Sequence, residues 1–92
     1  MGFAEAAYAN PWQAAHPWRA QVNHRLYNQA DRIGAEEIKG NLTPGQAARL
    51  LHEDNQIRRE ERLMASQNGG HITKLEQRTL NQQENKISSQ IP

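Results

Sequence analysis

Apolar residues recur through most of the chain at intervals of three or four positions, the spacing of one face of an α-helix. The first series follows a proline, which suits the first position of a helix because its missing N–H has no intrahelical partner there. Its members are Pro17, then Trp18, Val22, Leu26, Ala30 and Ile33. The pattern predicts a helix over residues 17–38.

Two further apolar series follow. Leu50, Ile57 and Met64 lie seven positions apart in the second, and Leu80 and Ile87 lie seven apart in the third. A step of seven returns to nearly the same face after two helical turns. These series predict helices near residues 44–66 and 74–88.

Helix stop and start signals separate the three series. Gly40 stands where a helix ends with a positive φ, and Thr43 with Gln46 forms a candidate capping box in the sequence that leads into the second helix. Gly70 stands before the third helix, and Thr73 with Glu76 forms the corresponding box. Each turn is therefore predicted to end one helix and cap the next.

The chain matches itself at an offset of 30 residues, which is the sign of an internal repeat. The matched residues of the first copy are Gly40, Leu42, Thr43, Gln46 and Leu50; those of the second are Gly70, Ile72, Thr73, Glu76 and Leu80. Ile57 and Ile87 also match at this offset, and Tyr27, which lies 30 positions before Ile57, extends that match to a third copy. We therefore predict an all-α protein in which three helices run up, down and up as two overlapping helix–turn–helix repeats.

The domain organisation follows from these elements. Residues 1–16 are expected to form a flexible N-terminal segment, residues 17–88 a single helical domain and residues 89–92 a loose tail. The middle helix is expected to be the spine against which both neighbours pack. The predicted core consists of Trp18, Val22, Leu26, Ile33, Leu42, Ala47, Leu50, Ile57, Met64, Ile72, Leu80 and Ile87.

Composition limits the size of that core and the kind of protein. Of 92 residues only 14 are Leu, Ile or Val, whereas 18 are Asn or Gln, so one thin core is possible. No apolar run approaches the roughly 20 residues of a membrane span. The net charge of +1 lacks the basic excess of a nucleic-acid-binding protein. Without cysteine, disulfides and thiolate sites are excluded.

The repeats resemble a motif of small exported helical-repeat proteins of Gram-negative bacteria, R-I-x-x-G-I-x-x-G-x-L-T-x-x-E-A-x-x-L. The similarity spans roughly residues 28–88 and is carried by Arg32–Ile33, Gly40–Thr43 and Leu50, and again by Gly70–Thr73, Glu76 and Leu80. Glu36 stands where the motif has its first glycine. The acidic residue that precedes the second glycine of the motif is replaced by Lys39 in the first copy and by Gly69 in the second. The resemblance implies an exported all-helical protein and carries over no catalytic residue.

The start of the chain bears on export in a second way. Ala7, Tyr8 and Ala9 have the small-x-small form of a signal-peptidase site, although no charged and apolar leader precedes them in this sequence. Together with the resemblance, this predicts a periplasmic or secreted protein whose leader is absent from the sequence.

The second turn also resembles a degenerate EF-hand loop. Gly70, Ile72 and Glu76 have the offsets of loop positions six, eight and twelve. The first, third and fifth positions are Ala65, Gln67 and Gly69; in the first copy they are Ala35, Glu37 and Lys39, with Gln46 at the twelfth. One acidic ligand in a loop is too few for a hard cation, so no metal site is predicted, and cation binding is kept as an alternative function.

Other reactive residues form no catalytic constellation. The histidines His16, His24, His52 and His71 lack the spacing of paired ligands, and Glu36–Glu37 and Glu60–Glu61 are adjacent pairs that diverge on a helix. Asp54 and Arg58 are expected to pair four positions apart. The serines Ser66, Ser88 and Ser89 lie near helix ends without a nucleophile motif. We therefore predict no catalytic, cofactor-binding or metal-binding residue, and we expect that the protein is not an enzyme.

Two surface groups suggest partners. Arg49, Arg58, Arg59 and Arg62 make a modest basic patch interleaved with glutamates, which keeps weak nucleic-acid binding as a second alternative. Trp12 and Trp18 either close one end of the bundle or form an exposed anchor for a partner. The favoured function is a structural or protein-interaction protein of the periplasm or envelope, with an unknown protein partner or self-association and no evident small-molecule substrate.

Overall fold

A computed structural model describes residues 10–92, which form four α-helices joined by turns. The helices are α1 (Pro11–Ala15), α2 (Pro17–Ile38), α3 (Pro44–Gln67) and α4 (Lys74–Ser88). The described part of the chain contains no strand. The all-α prediction is therefore confirmed, and the three long helices lie where the apolar series places them, with α3 extended to Gln67.

Helix α1 was not predicted. The Asn10 side chain accepts hydrogen bonds from the backbone N–H groups of Trp12 (2.8 Å) and Gln13 (3.4 Å), and Pro11 takes the first helical position. This is an N-cap, which satisfies donors that a short helix leaves unpaired. Part of the segment expected to be flexible thus forms a capped helix that packs on α2; residues 1–9 lie outside the described residues.

Both predicted capping boxes are confirmed. The Thr43 hydroxyl accepts from Gln46 N–H (3.1 Å) and the Gln46 side chain accepts from Thr43 N–H (2.8 Å). Thr73 and Glu76 repeat this exchange at 3.0 and 2.9 Å. The two threonines have nearly the same backbone angles, φ −73° and ψ 159° against φ −80° and ψ 165°. The two turns therefore start their helices in the same way.

The turns end the preceding helices differently. At the first turn Gly40 has φ 84°, and Asn41 N–H bonds back to the Glu36 carbonyl. At the second, Gly69 and Gly70 both have positive φ, and Gly70 N–H bonds back to the Ala65 carbonyl. The reversal comes one position earlier because a glycine stands at position 69, where left-handed backbone costs little.

The core contains ten of the twelve predicted residues. The prediction is wrong for Trp18, whose side chain is 41% exposed, and Met64 is only partly buried and packs against the core from outside. Ala65 takes the buried position beside Met64, and Ile91, expected in a loose tail, is also buried. The complete buried apolar set is Val22, Leu26, Ile33, Leu42, Ala47, Leu50, Ile57, Ala65, Ile72, Leu80, Ile87 and Ile91.

Both neighbouring helices pack against α3, as predicted for the middle helix, and α2 and α4 also pack against each other. Gln77 donates to Gln21 (3.0 Å), and Arg32 donates to the Ser88 hydroxyl (3.0 Å). These pairs join α2 to α4 at both ends of α4. Tyr27, the predicted third copy of an apolar anchor, is 63% exposed, so α2 presents a different face from α3 and α4.

Candidate functional site

Four polar side chains lie inside the bundle at positions that an apolar residue normally fills. They are Gln29 of α2, Asp54 and Glu61 of α3, and Glu84 of α4. Asp54 lies between Leu50 and Ile57 on the buried face of α3, and Glu84 occupies the same place between Leu80 and Ile87 on α4. The helical spacing alone therefore forces these carboxyl groups into the interior.

Glu61 is fully buried and paired. The Arg19 guanidinium donates from Nε to Glu61 Oε2 and from a terminal nitrogen to Oε1 (3.2 Å), and its other terminal nitrogen donates to the Gly70 carbonyl oxygen (3.2 Å). A two-pronged arginine–carboxylate pair of this kind satisfies both oxygens of the acid. The pair fastens the first turn of α2 to the end of α3 and to the second turn.

Glu84 is fully buried but less well paired. Arg25 Nε lies 3.6 Å from Glu84 Oε1, and the two terminal nitrogens of Arg25 donate to Asn85 Oδ1 (2.6 Å) and to the Asn81 backbone oxygen (3.5 Å). The Gln29 side-chain amide donates to the backbone oxygen of Glu84 (2.7 Å) and not to the Glu84 carboxyl group. Within residues 10–92 no hydrogen-bond donor reaches either carboxyl oxygen of Glu84.

Asp54 is in a similar position. It is 1% exposed, and its two carboxyl oxygens, like Gln29 Oε1, accept no hydrogen bond from the described residues. Burial raises the pKa of Asp54 to about 6, partly opposed by the charge of Arg58. Burial likewise raises the pKa of Glu84 to about 8; Arg25 opposes this, and the Asp54 charge adds to it. Asp54 and Arg58, expected to pair four positions apart, interact through charge, but the Asp54 carboxyl group is buried and accepts no hydrogen bond from Arg58.

We call Gln29, Asp54 and Glu84 the interior acceptor cluster. It is rich in oxygen atoms and poor in N–H and O–H donors, and it is closed to solvent. Proton uptake and release by the two carboxyl groups is the chemistry that this arrangement offers. The described residues contain no group of three or more His, Asp or Glu side chains placed to hold a metal ion.

The loop resembling an EF-hand uses its acid for capping. Glu76 Oε1 accepts from Thr73 N–H (2.9 Å) and from the Asn68 side-chain amide (3.2 Å). Gly70, at the sixth loop position, has φ 93° and so makes the required bend. The residues that match the EF-hand offsets therefore build the helix start itself.

Two histidines that are distant in sequence come together. The His16 and His71 rings stack with their centroids 4.5 Å apart, and Trp12 stacks on the other side of His16 at 4.6 Å. The Nδ1–H group of His16 donates to the Trp12 carbonyl oxygen (2.8 Å), and the Arg19 guanidinium carbon lies 5.1 Å from the Trp12 ring centroid. This ring stack attaches α1 to the second turn, and the sequence spacing gave no sign of it.

The remaining sequence candidates are dispersed. Glu36 accepts from the Asn41 amide (2.8 Å), which holds the pKa of Glu36 below its usual range and fastens the first turn. Ser66 and Ser89 donate to backbone oxygens within their own helix ends (2.7 and 2.8 Å). Each of these contacts serves local structure. Arg59 and Arg62 are exposed along α3 and stay available to solvent.

Large apolar side chains are exposed at one end of the bundle. The contacts of Arg19 with Glu61 and Gly70 and of Gln21 with Gln77 bring together the start of α2, the end of α3 and the start of α4. At this end Trp12 and Trp18 are each 41% exposed, Leu63 is 61% exposed and Leu75 is 69% exposed. We call these four residues the apolar end. Ile38, which is 89% exposed, lies at the opposite end.

Helices α1 to α4 include none with the length and apolarity needed to cross a lipid bilayer. Comparison of the chain with protein-family models, with characterised proteins and with solved structures found no match.

Proposed function

We propose that the protein is a non-enzymatic protein-interaction protein of the bacterial periplasm or envelope, built from two overlapping helix–turn–helix repeats that run up, down and up. The apolar end is its binding surface. A protein partner that covers these side chains would remove apolar area from water, which is the main source of affinity in most protein association.

The observation that carries the proposal is the exposure of Trp12, Trp18, Leu63 and Leu75 at one end. Single exposed apolar residues are common, but several on one part of a small domain are typical of an interaction surface. Tryptophan is enriched among the residues that contribute most to binding.

The similarity of the two capped turns supports the repeat architecture. Threonines 30 positions apart share their backbone angles and their capping partners. The resemblance to exported helical-repeat proteins supports the location, as does the small-x-small segment formed by Ala7, Tyr8 and Ala9.

Crosslinking in the cells that express the gene, followed by mass spectrometry, tests the proposed surface. We expect wild type to capture a defined partner and Leu63→Ser combined with Leu75→Ser to lose it. Ile38→Ser is the matched control, because it makes the same kind of change at the other end of the bundle. Circular dichroism checks that all variants remain helical.

Capture that is equally strong in the double variant contradicts the proposed surface. Light scattering of the purified protein distinguishes self-association from a foreign partner, since a second copy doubles the mass and the double variant restores the monomer. Osmotic-shock release of the native protein tests the location; retention in the cytoplasmic fraction contradicts export.

A further inference from the structure

The interior acceptor cluster has an imbalance of hydrogen-bonding groups that a proton corrects. Both oxygens of Asp54, both oxygens of Glu84 and Gln29 Oε1 are buried without a donor from residues 10–92. An ionised carboxylate can only accept hydrogen bonds, whereas a protonated carboxyl group brings one O–H donor. The packed arrangement therefore suits the protonated form of at least one acid.

The charged groups around the cluster do not offset two ionised acids. From α2, Arg25 approaches Glu84 at 3.6 Å, and it also donates to Asn85. From α3, the group that acts on Glu84 is Asp54, whose negative charge disfavours a second negative charge on Glu84. Asp54 itself is influenced by Arg58 of its own helix. Neither Arg25 nor Arg58 donates a hydrogen bond to these acids, so two ionised carboxylates would be buried without a donor, which is costly in a low dielectric.

We propose that Asp54 and Glu84 form a proton-dependent lock that holds α4 against α2 and α3: the bundle is closed while Glu84 carries a proton and loosens as pH rises and that proton is lost to solvent. The step breaks the O–H bond of the Glu84 carboxyl group and releases the proton to water, leaving a carboxylate whose charge is disfavoured by burial and by the charge of Asp54.

The direction of the effect follows from proton linkage. Burial raises the pKa of Glu84 from 4.5 to about 8 in the folded protein. Between these values the closed form binds more protons than an open form with a solvated Glu84. The closed form is therefore favoured most at a pH below the ordinary pKa of glutamate, is favoured less as pH rises, and changes little in stability above about pH 8. Between these limits the equilibrium constant for opening increases by up to about tenfold per pH unit.

Helix α4 is the element expected to open. It is the shortest of the three long helices, and Glu84 lies in the middle of its buried face between Leu80 and Ile87. Opening α4 exposes Glu84 to water while α2 and α3 keep the contacts that join them, including the pair of Arg19 with Glu61. The proposal is independent of the binding surface proposed above.

Two measurements on the whole chain test the lock. Carbon-13 NMR of side-chain carboxyl groups from pH 4 to 10 should show Glu84 titrating above pH 7. Hydrogen exchange, corrected for the intrinsic pH dependence of exchange, should show protection of the α4 amides falling at least tenfold between pH 6 and 8. Glu84→Gln keeps the shape and removes the ionisation, so its α4 protection should not change with pH. Glu60→Gln, at an exposed position, is the matched control and should behave as wild type.

A Glu84 titration midpoint between pH 4 and 5 would overturn the lock, and so would an α4 protection profile in Glu84→Gln that falls with pH as in wild type. If Glu84→Gln does not fold, the carboxyl titration of the wild-type protein decides the matter by itself.

Discussion

The guanidinium of Arg19 holds both carboxyl oxygens of Glu61, a fully buried acid 42 positions away in the chain. The same guanidinium donates to the Gly70 carbonyl oxygen, so one side chain joins α2, α3 and the turn before α4. Glu61 depends on this partner, because a carboxylate without one is very unfavourable in the interior.

Replacing Arg19 by Ala should lower the free energy of unfolding by about 3–5 kcal/mol, since it leaves the Glu61 charge buried and unpaired. Urea denaturation followed by circular dichroism measures the change. Adding Glu61→Gln to this variant should recover part of the loss. Arg59→Ala, at an exposed site, should change stability by less than about 0.5 kcal/mol. Equal effects of the Arg19 and Arg59 changes would contradict the importance of the pair.

Gly34→Ala and Gly40→Ala should act in opposite directions. Gly34 lies inside α2 with no atom within 4 Å of an added Cβ, so alanine should stabilise by about 0.5–1 kcal/mol through helix propensity. Gly40 also has open space, but its φ of 84° strains any side chain, so alanine should destabilise by about 1 kcal/mol. Thermal melts of both variants beside wild type show whether backbone conformation alone sets the sign.

Ile91→Ala should destabilise the protein by about 2 kcal/mol because it removes a buried side chain from the core. Gln90→Ala, one residue earlier and exposed, serves as the control. Chemical denaturation that gives the same midpoint for both variants would show that residues 89–92 form a loose tail after all.

The stability of the wild-type protein should depend on pH through Asp54 as well. Its pKa is raised from 3.8 to about 6, so the folded state binds the additional proton between these values and loses stability as pH rises through them. Asp54→Asn should remove this part of the dependence and increase stability at pH 7 relative to wild type. Denaturation midpoints from pH 4 to 7 measure it. A variant less stable than wild type throughout that range would mean that the Asp54 charge is favourable in the core.

Sequence reasoning located the helices and their caps because these depend on local chemistry. Thr43 with Gln46 and Thr73 with Glu76 act within one turn of backbone, and the apolar series needs nothing beyond helical spacing. The second turn shows the limit of such local reasoning. Although the two copies match at Gly40 and Gly70, Gly69 also has positive φ, and the chain reverses one position earlier in the second turn than in the first.

The buried acids and the ring stack were missed for different reasons. Asp54 and Glu84 lie 30 positions apart and each follows a core leucine by four residues, so the helical spacing did contain the signal; it was overlooked because a charged residue is usually assigned to the surface. The stacking of His16 on His71 depends on how α1 meets the second turn, which no local pattern specifies.

That ring stack gives the protein an optical property of its own. The Trp12 indole lies face to face with the imidazole ring of His16, which in turn covers His71, and an imidazole ring in such contact quenches indole emission when it is protonated. Unwinding of α1 would separate these two rings and so brighten Trp12, and with Trp18 replaced by Phe the fluorescence would report on that change without an added dye.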